Sequence, residues 1–535
     1  MTVAPALRDA ALRWIADDVD ASDRTELQAL LVAAMVGGGT EELAARLAGP
    51  LRFGTAGLRG PLRAGPNGMN RAVVVRTTAG LAAWLTAQGR TGTVVVGYDA
   101  RHRSDVFAGD AAGAFAAAGF DTLMLSRALP TPVLAFAVRR LGAVAGVQIT
   151  ASHNPAGDNG YKVYLDEGAQ LVPPVDAEIE AAVAAAPAAV TVPTSRGWRT
   201  GGPELLEGYL DRVASLPRGT ARELRVAATP LHGVGGAVLV EALRRAGFGD
   251  VHLVPSQASP DPDFPTVAFP NPEEPGAADA LLALAAEVGA DLAVALDPDA
   301  DRCALGVRDG GEWRMLTGDE TGVLLGSHVL ATLDRAAHPD PLVATTLVSS
   351  TMLRAVAAAH GARCAVTRTG FKWLLRAGDG LVYAYEEALG VCVDPGAVRD
   401  KDGLSAAVLA CDLAATARAH GRTVPDLLDD LALAHGVHLT AHVTVRVANP
   451  VAALAALRAT TPSSLAGIAV TAQDVADALA LAGEGVRVMV RPSGTEPKLK
   501  AYVEVVEPVM DDLAAARGAA VARLAAVQSA VHTLL

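Results

Sequence analysis

Thr150-Ala151-Ser152-His153-Asn154-Pro155 follows an apolar run from Leu141 to Ile149, and Asp297, Asp299 and Asp301 follow a second run far downstream. Two chemical tools are therefore expected at strand ends. A serine just past a strand, with Asn154-Pro155 forcing a turn, presents its hydroxyl at the mouth of a sheet, where α/β proteins place ligands. An unassisted hydroxyl is a weak nucleophile, so Ser152 needs a base, a cation or both, and His153 and Lys162 are the nearby candidates. Taken alone, Ser-His-Asn-Pro reads as a turn that caps backbone groups. The company it keeps changes that reading.

Asp297, Asp299 and Asp301 alternate with Pro298 and Ala300, and Pro298 cannot donate to a strand ladder, so a loop is expected that folds its carboxylates toward one point. A hard cation offsets their repulsion. Three carboxylates and a phosphate oxygen suit Mg²⁺ better than zinc, which prefers His and Cys, and Arg302 adds a phosphate-binding fork beside them. The alternative is a solvated acidic loop; the calcium EF-hand pattern lacks its Gly and terminal Glu here. Near the end, Arg491, Ser493, Gly494 and Thr495 put a guanidinium, hydroxyls and backbone N–H groups within five residues, the means of gripping an idle phosphate, with Lys498 adding charge. Phe53 to Gly60 carries another basic, glycine-rich loop containing Arg59, and Glu386-Glu387 precede Gly390. Together these residues suggest phosphoryl transfer by groups scattered over the whole chain.

Elements must hold them. Val94–Tyr98, Thr122–Leu125, Gly146–Thr150 and Tyr161–Leu165 read as strands of a first unit, with Ala/Leu-rich helical stretches between. Arg225–Thr229, Val251–Pro255, Asp291–Leu296 and Cys303–Val307 repeat the rhythm, and Leu342–Val348, Arg363–Thr369 and Leu381–Tyr385 begin a third set. A repeated α/β module is expected. Val172–Thr194 and Pro255–Pro275 read as surface excursions, and Ala448–Pro462 opens a final segment of different texture. With 535 residues the chain exceeds a single core, and 51% hydrophobic against 19% charged residues marks an ordinary globular protein. A net charge of −13 argues against a nucleic-acid partner, so an anionic ligand must be drawn in by local Arg and Lys groups. Cys303, Cys364, Cys392 and Cys411 are far apart with no CxxC pair, and no apolar run reaches membrane-spanning length. A cytoplasmic enzyme with no membrane partner is the expectation.

The order of these motifs resembles the α-D-phosphohexomutase superfamily, the phosphoglucomutases and phosphomannomutases, from about Arg52 to Val505. Thr150–Pro155 resembles its phosphoserine loop, Asp297–Arg302 its metal loop, Tyr385–Gly390 its sugar loop and Arg491–Lys498 its phosphate loop. Gly54–Gly60, Thr369-Gly370-Phe371-Lys372-Trp373 and Lys401-Asp402-Gly403 resemble the phosphoglucomutase-2-type, phosphopentomutase-like branch. The resemblance implies three related α/β modules with mixed sheets and a smaller C-terminal α+β domain around a central cleft. Boundaries are expected at 1–50 (a helical extension), 51–205, 206–318, 319–440 and 441–535. It implies that Ser152 carries the phosphoryl group and that Asp297, Asp299 and Asp301 bind Mg²⁺ with a phosphoserine oxygen. Lys162 and His153 then serve proton transfer, with Arg59 and Lys372 as catalytic cations. Arg302, Glu386, Glu387, Lys401, Arg491, Ser493, Gly494, Thr495 and Lys498 would hold the substrate. The implied reaction interconverts a sugar 1-phosphate and 6-phosphate, glucose first and mannose or pentose phosphates as alternatives, through a sugar bisphosphate such as glucose 1,6-bisphosphate that turns around in the cleft. Monomer or homodimer are both open. Ala388 departs from the pattern, since the common hexomutase loop has a serine there that contacts the sugar. A non-catalytic phosphosugar sensor and a serine phosphatase are the readings of other classes.

Overall fold

Val94, Val95 and Val96 are fully buried, as are Leu292 to Leu296, which is what β-branched and aliphatic runs achieve when helices cover both faces of a sheet. In the computed structural model, which describes residues 3–53, 57–493 and 498–535, such runs build four sheets. The first contains β1 (Leu58–Pro61), β2 (Thr93–Tyr98), β3 (Asp121–Met124), β4 (Ala145–Ile149), β5 (Asp158–Leu165), β6 (Ala169–Gln170) and β7 (Arg199–Thr200), in the order β1-β5-β4-β2-β3-β7 with β6 on β5. The second contains β8 (Arg225–Thr229), β9 (Asp250–Leu253), β10 (Leu292–Leu296), β11 (Cys303–Asp309) and β12 (Glu312–Met315). The third contains β13 (Leu342–Thr346), β14 (Arg363–Thr367), β15 (Leu381–Glu386) and β16 (Gly390–Cys392).

One four-strand motif recurs in all three. In the first sheet β2 lies between β3 and β4, parallel to both, and β5 returns antiparallel beside β4. β8, β9, β10 and β11 repeat this arrangement, and so do β13, β14, β15 and β16. The turn from the third strand to the antiparallel fourth is therefore the same place in each module. It holds Ser152 in the first, Asp297 to Asp301 in the second and Glu387 to Leu389 in the third. Each of these turns has one non-glycine residue in the left-handed region, Ser152 (φ 54°), Ala300 (φ 55°) and Leu389 (φ 62°). The three modules are related by topology, as the sequence rhythm implied.

The fourth sheet is antiparallel throughout: β17 (Val437–Arg446), β18 (Ser464–Leu465), β19 (Ile468–Val475), β20 (Ala478–Gly483), β21 (Val486–Pro492) and β22 (Lys498–Glu507), in the order β17-β22-β21-β20-β19-β18. The helix Leu513–Leu534 lays Ala520, Val527 and Val531 on its core beside Val488 and Val503. The expected boundaries at 205 and 440 fall inside the helix Glu204–Ala214 and inside β17.

Residues 3–49 form three helices, α1 (Pro5–Asp17), α2 (Ala21–Met35) and α3 (Thr40–Arg46), which share a small core of Ala11, Ile15, Leu27, Leu31 and Leu43. The first module adds α4 (Arg71–Ala87), α5 (Ser104–Ala117), α6 (Thr131–Arg140) and α7 (Val175–Ala184). α7 corrects the reading of 172–194 as a surface excursion: Ile179 is fully buried, and Gly80 of α4 lets the backbone at Val183 approach closely. The prolines that flank it, Pro173, Pro174 and Pro187, hid the helix.

The chain divides into two compact units. Unit 1 comprises residues up to 217 with 223–306 and 394–408; unit 2 comprises 218–222, 307–393 and 409–535. No helix among the described residues is long and apolar enough to cross a membrane.

Candidate active site

In unit 1, β4 ends at Ile149 and the chain turns through Ser152, where the amide of Ser152 donates to Thr150 Oγ1 at 2.9 Å. Ser152 is buried and its Oγ donates to Asp297 Oδ2 at 2.8 Å, with His153 Nδ1 at 3.2 Å as a second neighbour. β10 likewise ends at Leu296, and the turn that follows closes through Ala300 N–H to Asp297 C=O at 2.9 Å. It turns one oxygen of each of Asp297, Asp299 and Asp301 to within 4.8 Å of the others.

Lys162 stands on β5 opposite Gln148 of β4 and is buried. Its Nζ donates to Asp299 Oδ2 at 2.6 Å and Asp301 Oδ2 at 2.7 Å. Arg59, on β1 opposite Gly160 of β5, feels Asp299 and Asp301 electrostatically. Residues 394–408 belong to unit 1, and Lys401 Nζ lies 3.3 Å from Asp301 Oδ2. Gly403 packs against the carbonyls of Arg302 and Ala300 so closely that a Cβ would lie 2.4 Å from Arg302 O. Arg302 has its amide on Asp297 Oδ1 at 3.0 Å and its Nε 3.9 Å from Asp301 Oδ1.

Burial, then the charges of Asp299 and Asp301, push the Asp297 carboxyl well above the usual range. Burial also opposes the charge on Asp301, but Lys162, Lys401 and Arg302 outweigh it and hold that carboxyl low. For Lys162 burial favours the neutral amine, yet Asp299 and Asp301 prevail and its pKa is raised, so it stays protonated. His153 goes the other way: burial first, then Arg302 and Arg59, push it well down, which leaves a neutral imidazole beside Ser152 Oγ.

The donor set suits a hard divalent cation. Asp299 Oδ1 and Asp301 Oδ1 are buried and accept no hydrogen bond among the described residues, while their Oδ2 atoms are already occupied by Lys162. Two carboxylate oxygens that no described residue hydrogen-bonds, beside Asp297 in a triad of oxygen donors, match the oxygen preference of Mg²⁺.

Sequence reasoning missed the residues that fix these ligands. Thr131, at the start of α6, donates its hydroxyl to Asp299 Oδ2 at 2.5 Å and its amide to Asp299 C=O at 2.9 Å. Pro130 and Pro132 announced the helix start. Asp400 receives Tyr164 Oη at 2.8 Å and Gln170 Nε2 at 2.7 Å on one oxygen, and Lys401 Nζ at 3.1 Å on the other. Nothing in the spacing tied Asp400 to residues more than two hundred positions earlier.

Unit 2 holds the remaining expected residues. Glu386 ends β15 and Glu387 begins the turn that follows, with Glu387 Oε2 accepting from Ser349 Oγ at 2.9 Å and Thr346 Oγ1 at 3.1 Å. Burial, then Glu386 and Asp319, push the Glu387 carboxyl up to about 7. Lys372 is half-buried on the short helix Phe371–Leu374. Arg491 on β21 pairs with Lys500 of β22 and places Nη2 3.3 Å from Asp477 Oδ2. Ser493 N–H donates to Lys498 C=O at 2.9 Å at the end of the same hairpin. Gly494 and Thr495 lie outside the described residues, as do Gly54 to Ala56. Ser152, His153, Lys162, Arg59, the aspartates, Arg302 and Lys401 thus lie in unit 1, and Glu386, Glu387, Lys372, Arg491, Ser493 and Lys498 in unit 2.

Four family descriptions match in chain order: phosphoglucomutase/phosphomannomutase alpha/beta/alpha domain I over residues 50–189, domain II over 207–311, domain III over 317–433 and the C-terminal domain over 443–522. A protein named probable phosphomannomutase from Haemophilus influenzae is 40% identical over 455 residues, 82% of this chain and 93% of that one. A phosphoribomutase from Saccharomyces cerevisiae is 36% identical over 453 residues, 76% of this chain and 71% of that one. The crystal structure of a phosphoglucomutase/phosphomannomutase family protein from Burkholderia thailandensis shares the fold, with a TM-score of 0.70 at 20% identity, covering 90% of this chain and 96% of that one.

Proposed function

This chain belongs to the phosphoglucomutase/phosphomannomutase family, and from that premise we propose that it interconverts glucose 1-phosphate and glucose 6-phosphate through a phosphoserine at Ser152. It is a phosphosugar mutase, an isomerase. The observation that carries the Ser152 assignment is its hydroxyl, buried on a left-handed turn and 2.8 Å from Asp297 in a cluster of three carboxylates.

In the first half-reaction the phosphoryl group leaves Ser152 Oγ for a sugar hydroxyl, giving a sugar bisphosphate, and that hydroxyl gives up its proton as the new P–O bond forms. Ser152 Oγ takes a proton as it departs. In the second half the other phosphate returns to Ser152 and the process reverses. His153, neutral and 3.2 Å from Oγ, can accept a proton, and protonated Lys162 can give one. Asp297, Asp299 and Asp301 would hold Mg²⁺ together with a phosphoserine oxygen, and bound there it would neutralise charge on the transferring group. Arg59, Arg302 and Lys401 contribute preorganised positive charge on the same side. In unit 2, Glu386 and Glu387 are assigned to the sugar hydroxyls, and Arg491, Ser493 and Lys498 to the idle phosphate. A cytoplasmic location belongs with this reading.

The test compares kcat/KM for glucose 1-phosphate, mannose 1-phosphate and ribose 1-phosphate with Mg²⁺ and the matching bisphosphate, since discrimination is a ratio of these values. The glucose pair is expected to lead. Ala388, which removes a hydroxyl from the sugar loop, and the name of the yeast relative favour a second reading in which a pentose phosphate leads. Ser152→Ala is expected to lose turnover with every substrate; near-normal turnover in that variant would end the phosphoserine assignment.

A further inference from the structure

Arg101 follows β2 and carries a buried guanidinium. Its Nη2 donates to the carbonyl of Ser152 at 2.7 Å and to that of Asn154. Its Nη1 donates to the carbonyls of Pro155 at 2.7 Å and Asp158 at 3.1 Å. One planar group thus gathers four carbonyls from a seven-residue stretch that begins at the reacting serine. Its own position is set from behind: the Arg101 amide donates to Asp99 Oδ1 at 3.0 Å, Asp99 Oδ2 lies 3.5 Å from Nε, and Ser104 Oγ donates to Asp99 Oδ1 at 2.7 Å. From the front, Phe264 covers it, with the guanidinium carbon 4.9 Å from the ring centroid. Phe264 is buried and comes from the proline-rich 255–275 stretch of the second module, so that stretch is not merely the surface excursion its composition suggested.

Resting on the phosphoserine reading above, we infer that Arg101 is a positioning residue for phosphoryl transfer: it holds the Ser152 turn in its left-handed conformation and, through Phe264, ties that turn to the module that carries the aspartates. The bonds of the Arg101 Nη atoms go to backbone carbonyls of the turn rather than to Ser152 Oγ. Its effect passes through the backbone of Ser152, whose Oγ must meet Asp297 at hydrogen-bond distance. A lysine cannot replace it, because an ammonium has three donors at one point, whereas the guanidinium fork reaches carbonyls on two sides and stacks on a ring.

The experiment compares the full-length wild type with Arg101→Lys, Arg101→Ala and Phe264→Ala. Misplacing a reacting group by about 1 Å costs about 100-fold in rate, so Arg101→Lys is expected to lower kcat by about that factor with KM within about threefold. Added guanidinium is expected to restore part of the kcat of Arg101→Ala, and an equal concentration of urea none. Phe264→Ala, which leaves every carbonyl bond in place, is expected to lower kcat less than Arg101→Lys, again without raising KM. Hydrogen exchange at residues 151–158 reads the clamp without any turnover and is expected to rise in Arg101→Lys while the strands β2 and β4 stay protected. Wild-type kcat in Arg101→Lys, a loss confined to KM, or unchanged exchange at 151–158 would overturn the inference. Absence of turnover in the wild type would instead overturn the mutase reading, and the exchange result would still decide the clamp.

Discussion

At the scale of the residue, the chemistry of unit 1 depends on which oxygens are already taken. Asp299 Oδ2 accepts from both Thr131 and Lys162, so Oδ1 is the atom left to meet a cation. Thr131→Val keeps the shape of the side chain and removes the donor. Oδ2 then keeps its bond from Lys162 but loses the one from Thr131, and the carboxylate can rotate. Partners of this kind typically contribute 10–100-fold to metal affinity or activity, so Thr131→Val is expected to raise the Mg²⁺ concentration for half-maximal turnover by about that range. A Mg²⁺ titration of kcat checks it, and an unchanged midpoint would show that Thr131 serves only the helix start. Removing the cation with EDTA is expected to stop wild-type turnover and excess Mg²⁺ to restore it. Ser152 and the aspartates were legible in the sequence because each motif is contiguous and ends an apolar run. Thr131 was not, since its partner lies 168 residues away and only folding joins them.

At the scale of the element, glycines show where helices meet. A Cβ on Gly80, inside α4, would lie 2.5 Å from Val183 Cα and 2.6 Å from its nitrogen, both backbone atoms of α7 that cannot rotate aside. A Cβ on Gly109, inside α5, would meet nothing within 4 Å. Alanine gains about 1 kcal/mol over glycine in a helix interior, whereas overpacking costs about 1–3 kcal/mol. The two substitutions should therefore differ in sign: Gly80→Ala destabilises and Gly109→Ala stabilises by up to about 1 kcal/mol. Urea midpoints at constant slope read both, and a stabilised Gly80→Ala would mean that α7 is not seated on α4. The strands of this module were legible because buried parallel strands are short, apolar and β-branched. α7 was hidden because its buried face is narrow, with Ile179 its one fully buried residue, and the prolines around it imitate a loop.

At the scale of the molecule, three copies of one strand motif place their working turns identically, while the fourth sheet must be joined to its neighbour by something else. The repeated topology could only be suspected from sequence, because pairing order leaves no trace in composition. Within unit 2 the join is Glu504 of β22, buried, whose Oε1 accepts from Ser350 Oγ at 2.8 Å, Thr351 N at 2.7 Å and His438 Nδ1 at 3.0 Å. Its Oε2 accepts from Arg487 Nη2 at 2.8 Å, and Arg487 Nη1 in turn donates to Leu347 C=O at 2.6 Å. Burial opposes the charge of Glu504, but the bond from His438 and the charge of Arg487 outweigh it and lower its pKa from 4.5 to about 2. A carboxyl depressed on folding stabilises the folded state above its unfolded pKa, and that stabilisation is lost as pH falls toward the folded value. The shift corresponds to about 3 kcal/mol at neutral pH, present above pH 4.5 and declining from there toward pH 2. Glu504→Gln keeps the shape and cannot titrate. It is expected to weaken protection of β22 amides in hydrogen exchange at pH 7 by about that energy, and to remove the acid-side decline that the wild type shows. An identical decline in Glu504→Gln would mean that acid loosens this unit through other carboxyls, and that the fourth sheet is held by its apolar contacts of Leu347 and Val348 with Ala480 and Met489 instead.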